Sequence, residues 1–179
     1  MGMIILEGPD GAGKTCLGQA LADDLGLDIR HEGGPPEDHA ELERRMELPG
    51  DRQPSIILDR YGAISELVYG PIVRDGPMLP DTDLWQNLRD LSHRQPVALI
   101  YCRPSMDTIL AAIMRSELKA HKSAEHMTRV RTRSVDLIRR YDLIMPQIAV
   151  STAMAVIWHD WSCHDPLVLS AILRRGHIV

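Results

Sequence analysis

Gly8-Pro9-Asp10-Gly11-Ala12-Gly13-Lys14-Thr15 meets the pattern GxxxxGKS/T, in which every fixed position has a mechanical task. The glycines let the backbone fold around phosphate oxygens with its N–H groups turned inward. Lysine brings a point charge to β- and γ-phosphates, and the threonine hydroxyl is a ligand for Mg²⁺. A helix starting at the lysine points the positive end of its dipole at the same anion. The flanks supply the context that the pattern requires. Met3-Ile4-Ile5-Leu6 is a short apolar run that reads as a buried strand. From Lys14 to Leu25, the side chains of Leu17, Ala20, Leu21 and Leu25 share one helical face, and Gly26 stands in the C′ position.

Further along, strands and helices alternate. Leu27 to Arg30 is a weaker strand, and a short polar helix is expected from Asp38 to Leu48, before Pro49-Gly50. Ser55-Ile56-Ile57-Leu58 is a second buried strand; a short helix from Ser65 to Tyr69 and a loop from Gly70 to Pro80 follow it. Asp81 or Thr82 is expected to cap a helix carrying Leu84, Trp85, Leu88 and Leu91 on one face. Pro96 to Tyr101 is the next strand, and a helix runs from about Ser105 to Arg115. After the polar stretch Ser116 to Glu125, helical spacing continues from Met127 to Ile144 in one long helix that Pro146 should close. Ala153 to Trp158 is the last strand, and Asp165-Pro166 opens a terminal helix that ends at Gly176. Strands buried on both faces and separated by helices predict a three-layer α/β fold with a parallel sheet. The 179 residues form one domain on this reading.

Composition narrows the function classes. A net charge of −5 argues against a nucleic-acid polymer as the main partner, because counterion release needs clustered Lys and Arg. Lys and Arg gather locally between Arg115 and Arg140, a pattern suited to a small anionic ligand. Cys16, Cys102 and Cys163 are odd in number and show no CxxC, so neither a disulfide framework nor a structural zinc site is expected. With no charged leader and no apolar run of membrane-spanning length, the expectation is a cytoplasmic protein without a membrane partner.

Asp59 falls at the carboxyl end of its strand, where open α/β sheets display functional residues. A carboxylate there suits Mg²⁺, which prefers oxygen ligands, and Arg60 offers a guanidinium fork to phosphate oxygens. Asp59-Arg60-Tyr61-Gly62 also fits the DxxG pattern of GTPase switches. Those proteins read guanine through Asn-Lys-x-Asp, and the sole asparagine, Asn87, is followed by Leu88. The switch reading fails.

Taken together, these residues resemble the thymidylate kinase branch of the nucleoside monophosphate kinases. Leu6-Glu7-Gly8-Pro9-Asp10-Gly11-Ala12-Gly13-Lys14-Thr15 is similar to that family's Glu-Gly-x-Asp/Glu-Gly-x-Gly-Lys-Ser/Thr loop, and Asp59-Arg60-Tyr61 to its Asp-Arg-aromatic motif. Glu32-Gly33-Gly34 is reminiscent of an Arg-Glu-Pro-Gly-Gly segment, with His31 and Pro35-Pro36 departing from it. Ser65 to Arg74 looks like a variant of small, phage-encoded relatives.

The resemblance implies a P-loop fold with strand order 2-3-1-4-5, a mobile lid at about residues 115–130, and a homodimer. It implies ATP and Mg²⁺ as cofactors, with ATP held by Gly8, Asp10, Gly11, Ala12, Gly13, Lys14, Thr15 and Cys16, and the metal by Thr15 and Asp59. Asp10 inherits contact with the acceptor sugar's 3′-hydroxyl, and Arg60 contact with the acceptor phosphate. Glu32, Asp59, Tyr61, Glu66, Tyr69 and Arg74 complete the expected acceptor site. Without an arginine in the P-loop, transition-state charge falls to Lys14, Arg60 and the lid, where Arg115, Arg129, Arg131 and Arg133 are candidates. The family stacks the acceptor base on a phenylalanine. This chain has none, which leaves Tyr69, or Trp85 as the alternative.

A monophosphate acceptor brings a nucleophile that is already ionised near neutral pH, since its second pKa is about 6, and it needs positive charge rather than a base. The competing acceptor is a nucleoside hydroxyl, for which Glu32 is the candidate base. A nucleotide-binding regulator without turnover is a third reading. The base stays open among dTMP, dUMP, dGMP and a modified pyrimidine, and the adenine of ATP is expected near His159 to Asp165.

Overall fold

The computed structural model describes residues 2–32, 35–47, 55–74, 76–115, 124–176 and 178, without the side chain of His126. Expectations on Gly33-Gly34, Leu48 to Gly50 and residues 116–123 of the lid lie outside them.

Five strands, β1 (Met3–Glu7), β2 (Asp28–His31), β3 (Ile56–Asp59), β4 (Val97–Cys102) and β5 (Ala155–His159), form one sheet. Its order is β2-β3-β1-β4-β5, and every neighbouring pair is parallel. Successive side chains of a strand point to opposite faces. In β1 and β4 both faces are apolar and buried. The edge strands β2 and β5 are exposed or only half-buried along most of their length, against the expectation of strands buried on both faces. Met3 and Ile5 of β1, with Val97, Leu99 and Tyr101 of β4, join one core. Ile4 and Leu6, with Ala98, Ile100 and Cys102, join the other. That two-sided run makes the sheet the middle of three layers.

The first face is covered by α3 (Gly62–Val73), α4 (Asp81–Arg94) and α7 (Ser134–Ser151), through Leu67, Leu88 and Ile144 among others. The second is covered by α1 (Lys14–Leu25) and α8 (Pro166–Arg175), through Leu17, Leu21, Leu169 and Leu173. Three further helices complete the fold: α2 (His39–Arg45), α5 (Met106–Arg115) and α6 (Ala124–Thr132). Among the described residues, no helix is long and apolar enough to cross a membrane.

Four local expectations are corrected. Helix α3 starts at Gly62 and continues through Gly70 and Pro71, because Val68, Tyr69 and Val73 keep burying its inner face. Helix α7 passes through Pro146 to Ser151. Proline in a helix interior costs about 3 kcal/mol, but Ile144, Met145 and Ile148 on either side are buried in the core and hold the helix together. The expected single helix from Met127 breaks at Arg133 into α6 and α7, where the Ser134 hydroxyl donates to the Arg131 carbonyl at 3.0 Å. At the start of α4 neither Asp81 nor Thr82 caps. Pro80 is the cap residue, its carbonyl accepting from the Asp83 and Leu84 amides, and Asp81 and Asp83 lie in the first turn.

Candidate active site

The carboxyl ends of β1, β2 and β3 carry Glu7, His31 and Asp59 side by side, since the register pairs Leu6 and His31 with Asp59. Between β1 and α1 the chain makes the tight loop that the glycine pattern demands. Gly8 has φ 148°, a region essentially restricted to glycine, and a Cβ there would sit 2.5 Å from the Cys102 carbonyl oxygen. Gly13 (φ 83°) caps α1, and no side-chain hydrogen bond caps that helix N-terminus. Its amides are therefore presented to the loop in the arrangement that binds phosphate.

Lys14 lies under this loop, 7% exposed, and donates from Nζ to the carbonyls of Gly8 (2.9 Å) and Pro9 (2.8 Å). Burial, with the nearby Arg60 guanidinium, lowers its pKa from 10.5 to about 8. Next to it, the Thr15 hydroxyl donates to Asp59 Oδ2 at 2.9 Å. The two residues expected to hold Mg²⁺ thus meet at one point, and a hydroxyl beside a carboxylate is an oxygen donor set that fits this cation. His31 Nδ1 is 3.0 Å from the same Oδ2. Cys16 is exposed on the first turn of α1.

Arg60 has φ 82°, the one positive φ of a non-glycine residue among the described residues, a conformation that costs about 1–3 kcal/mol. The kink turns its guanidinium back over the loop. Nη2 donates to Asp10 Oδ1 and to the Tyr69 hydroxyl, each at 3.1 Å, and Nη1 to the Tyr141 hydroxyl at 2.9 Å. The guanidinium carbon also lies 5.0 Å from the Tyr69 ring centroid, within cation–π range. Beneath it Glu7 is fully buried. Its desolvation raises its pKa, against the pull of Arg60 and of the Tyr61 amide and Tyr141 hydroxyl bonded to it.

Beside the loop a cavity opens, with about 590 Å³ of empty space counting its mouth. Six of the expected residues line it: Asp10, Glu32, Arg60, Glu66, Tyr69 and Arg74. Its far end is built by α3. There Glu66, buried, pairs with Arg74 and accepts the Met78 amide at 2.7 Å. Glu32 pairs with Arg30 at 2.7 Å and with Arg45 at 3.7 Å.

Other expected residues stand elsewhere. The Tyr61 ring is buried in the core, its hydroxyl donating to Asn87 Oδ1 at 2.7 Å, so what it turns toward the site is its amide. Trp85 packs against the core from α4 and does not line the cavity. Arg115 folds back onto the Ala111 carbonyl of its own helix, and Arg133 pairs with Asp136. Arg129 donates to the Val73 carbonyl at the end of α3 and pairs with Glu125.

Three residues had no role of their own in the sequence analysis, although Glu7 falls within the quoted loop and Trp161 within the stretch expected to hold adenine. Glu7 carries the signal of a charge at the end of an apolar strand. Tyr141 offers none, since its position on a buried helix face reads as packing. Trp161 is an aromatic residue in the polar turn after β5. It is 50% exposed and lies so close to Gly13 that a Cβ there would come 2.8 Å from its ring.

No protein-family model matches this sequence, and no curated protein does. Solved structures do. The YorR protein of Bacillus subtilis, in complex with phosphorylated GDP, superposes with a TM-score of 0.63 at 16% identity, over 98% of each chain. Deoxyadenosine kinase from M. mycoides, with products dCMP and dCDP bound, gives 0.57 at 16% identity over 98% of this chain and 97% of the other. Shikimate kinase from Acinetobacter baumannii, in complex with shikimate, gives 0.54 at 16% identity over 99% and 93%. The fold is that of the P-loop kinases.

Proposed function

We propose that this protein transfers the γ-phosphoryl group of ATP to a deoxynucleoside monophosphate, with dTMP the first candidate. The observation that carries the reading is Arg60. A partly buried guanidinium, 15% exposed, sits 3.1 Å from the phosphate-loop carboxylate of Asp10 while lining the cavity beside that loop. It stands between a donor loop and an acceptor cavity, where a cation can draw two polyanions together and in line.

In this scheme Lys14 leaves the Gly8 and Pro9 carbonyls for the β- and γ-phosphates, while the loop amides and the α1 N-terminus hold the remaining oxygens. Thr15 and Asp59 would hold Mg²⁺, which would supply neutralisation of phosphate charge when bound. Asp10 orients Arg60 and meets the acceptor sugar; Arg60 takes the acceptor phosphate; Tyr69 and the Glu66–Arg74 pair face the base. The acceptor's own ionised oxygen is the nucleophile, so no side chain removes a proton. Two of the structural neighbours hold nucleotides, which accords with a nucleotide or nucleoside substrate. One of them is a deoxynucleoside kinase with dCMP as a product, so the neighbours do not choose between a phosphate and a hydroxyl acceptor.

One observation favours a second reading. The cavity arginines are each paired with a carboxylate, Arg60 with Asp10, Arg74 with Glu66 and Arg45 with Glu32, and Glu32 lines the cavity as a nucleoside kinase's base would. Incubating the purified protein with ATP, Mg²⁺ and a panel of nucleosides and nucleoside monophosphates separates the two. Diphosphate formation from a monophosphate is the expected result. Phosphorylation of nucleosides alone overturns it, and no transfer to either leaves a nucleotide-binding regulator. The homodimer implied by the family resemblance is checked by light scattering, where a single species of 20.1 kDa contradicts it.

A further inference from the structure

Both ends of Arg60 are held by one carboxylate. Glu7, the last residue of β1, accepts the Tyr61 amide on Oε1 at 2.8 Å and the Ser65 hydroxyl on the same oxygen at 3.2 Å. Those two bonds, with the Arg60 amide donating to the Leu6 carbonyl at 3.0 Å, fix the left-handed turn and the first turn of α3. Its Oε2 accepts the Tyr141 hydroxyl at 2.8 Å, and Tyr141 in turn accepts Arg60 Nη1 at 2.9 Å. The direction of these bonds is set. Guanidinium donates to phenol and phenol donates to carboxylate, because arginine has no acceptor to offer. The carboxylate itself lies 3.8 Å from Nη1 and is fully buried.

We propose that Glu7 is a positioning residue that aims Arg60 at the acceptor phosphate through Tyr141; the inference rests on reading the cavity as the acceptor site. Glu7→Gln keeps an oxygen for the Tyr61 amide but turns an NH₂ toward Tyr141. The phenol then receives two donors and its own proton loses the acceptor. Tyr141→Phe removes the same link from the other side and leaves the Glu7–Tyr61 bond in place. The two changes therefore break one chain, and their effects do not add.

The test uses the full chain with ATP, Mg²⁺ and whichever monophosphate the wild type converts. Each single variant is expected to raise the acceptor KM about 10- to 100-fold, the range for losing a hydrogen bond to a charged group. The KM for ATP stays within about twofold, and the double variant stays within about twofold of the worse single one. A purely structural role predicts a lower melting temperature with the acceptor KM of the folded protein unchanged, and that result overturns the proposal. If Glu7→Gln does not fold, Tyr141→Phe alone decides by the same criterion. A wild type that converts no monophosphate defeats the acceptor reading instead, so the two failures are distinguishable.

Discussion

An ammonium group taken out of water and set beside a guanidinium holds its proton less firmly. Lys14 is in that position, and its pKa of about 8 has a consequence for the pH dependence of nucleotide binding. The protonated form is the one that attracts phosphate, and bound phosphates raise the pKa again. Binding above pH 8 therefore takes up a proton, and affinity for ATP weakens as pH rises through that value. Calorimetry at pH 8.5 in two buffers of different ionisation enthalpy should detect the uptake, and Lys14→Met should abolish it. Asp10 acts at the same scale. It meets Arg60 and, at 3.4 Å, the Tyr69 hydroxyl, both on the cavity side. Asp10→Ala is expected to raise the acceptor KM about tenfold or more and to weaken ATP binding less; an unchanged acceptor KM refutes the assignment.

At the scale of elements, the loop glycines differ in what they stand against. A methyl group at Gly8 meets the backbone carbonyl of Cys102 at 2.5 Å, which cannot move without β4. One at Gly13 meets the Trp161 side chain at 2.8 Å, on a half-exposed turn that can give way. Gly8→Ala should therefore lower the melting temperature and ATP affinity more than Gly13→Ala, whose cost is mainly the left-handed backbone, about 1–2 kcal/mol. Helix α7 makes the opposite case. Pro146 is exposed in its interior, so Pro146→Ala adds a helix-forming residue and an amide donor without disturbing the core. It should stabilise the protein by about 1–3 kcal/mol in urea denaturation.

That proline also shows where sequence reading ends. Helix-stop signals are local, whereas the burial of Ile144, Met145 and Ile148 depends on where the sheet lies. The loop glycines, the strand end at Asp59 and the two-sided central strands β1 and β4 were legible because their causes sit within a few residues. That β2 and β5 are exposed edges depends on the strand order. The contact between Arg60 and Tyr141 spans 81 residues and carries no local mark. Arg129 reads as a lid cation but docks on α3, which no spacing rule within the basic stretch could reveal.

The whole molecule places its nucleotide loop where the two apolar cores share their strands. β1 and β4 each give alternate side chains to both cores, and Gly8 leaves β1 against the carbonyl that ends β4. A ligand that orders the loop thus stabilises the junction of all three layers, and global unfolding has to release it. At a hundredfold excess over its Kd, a nucleotide that binds the native state alone adds about 2.7 kcal/mol. For a chain of this size that corresponds to a rise in melting temperature of about 5–10 °C. ADP with Mg²⁺ should produce that rise in the wild type. Thr15→Val, which keeps the shape but removes the hydroxyl facing Asp59, should cut the Mg²⁺-dependent part of the shift and spare what ADP gives in EDTA. An equal shift with and without Mg²⁺ in the wild type would separate Thr15 and Asp59 from the metal altogether, leaving their 2.9 Å contact as a brace between α1 and β3.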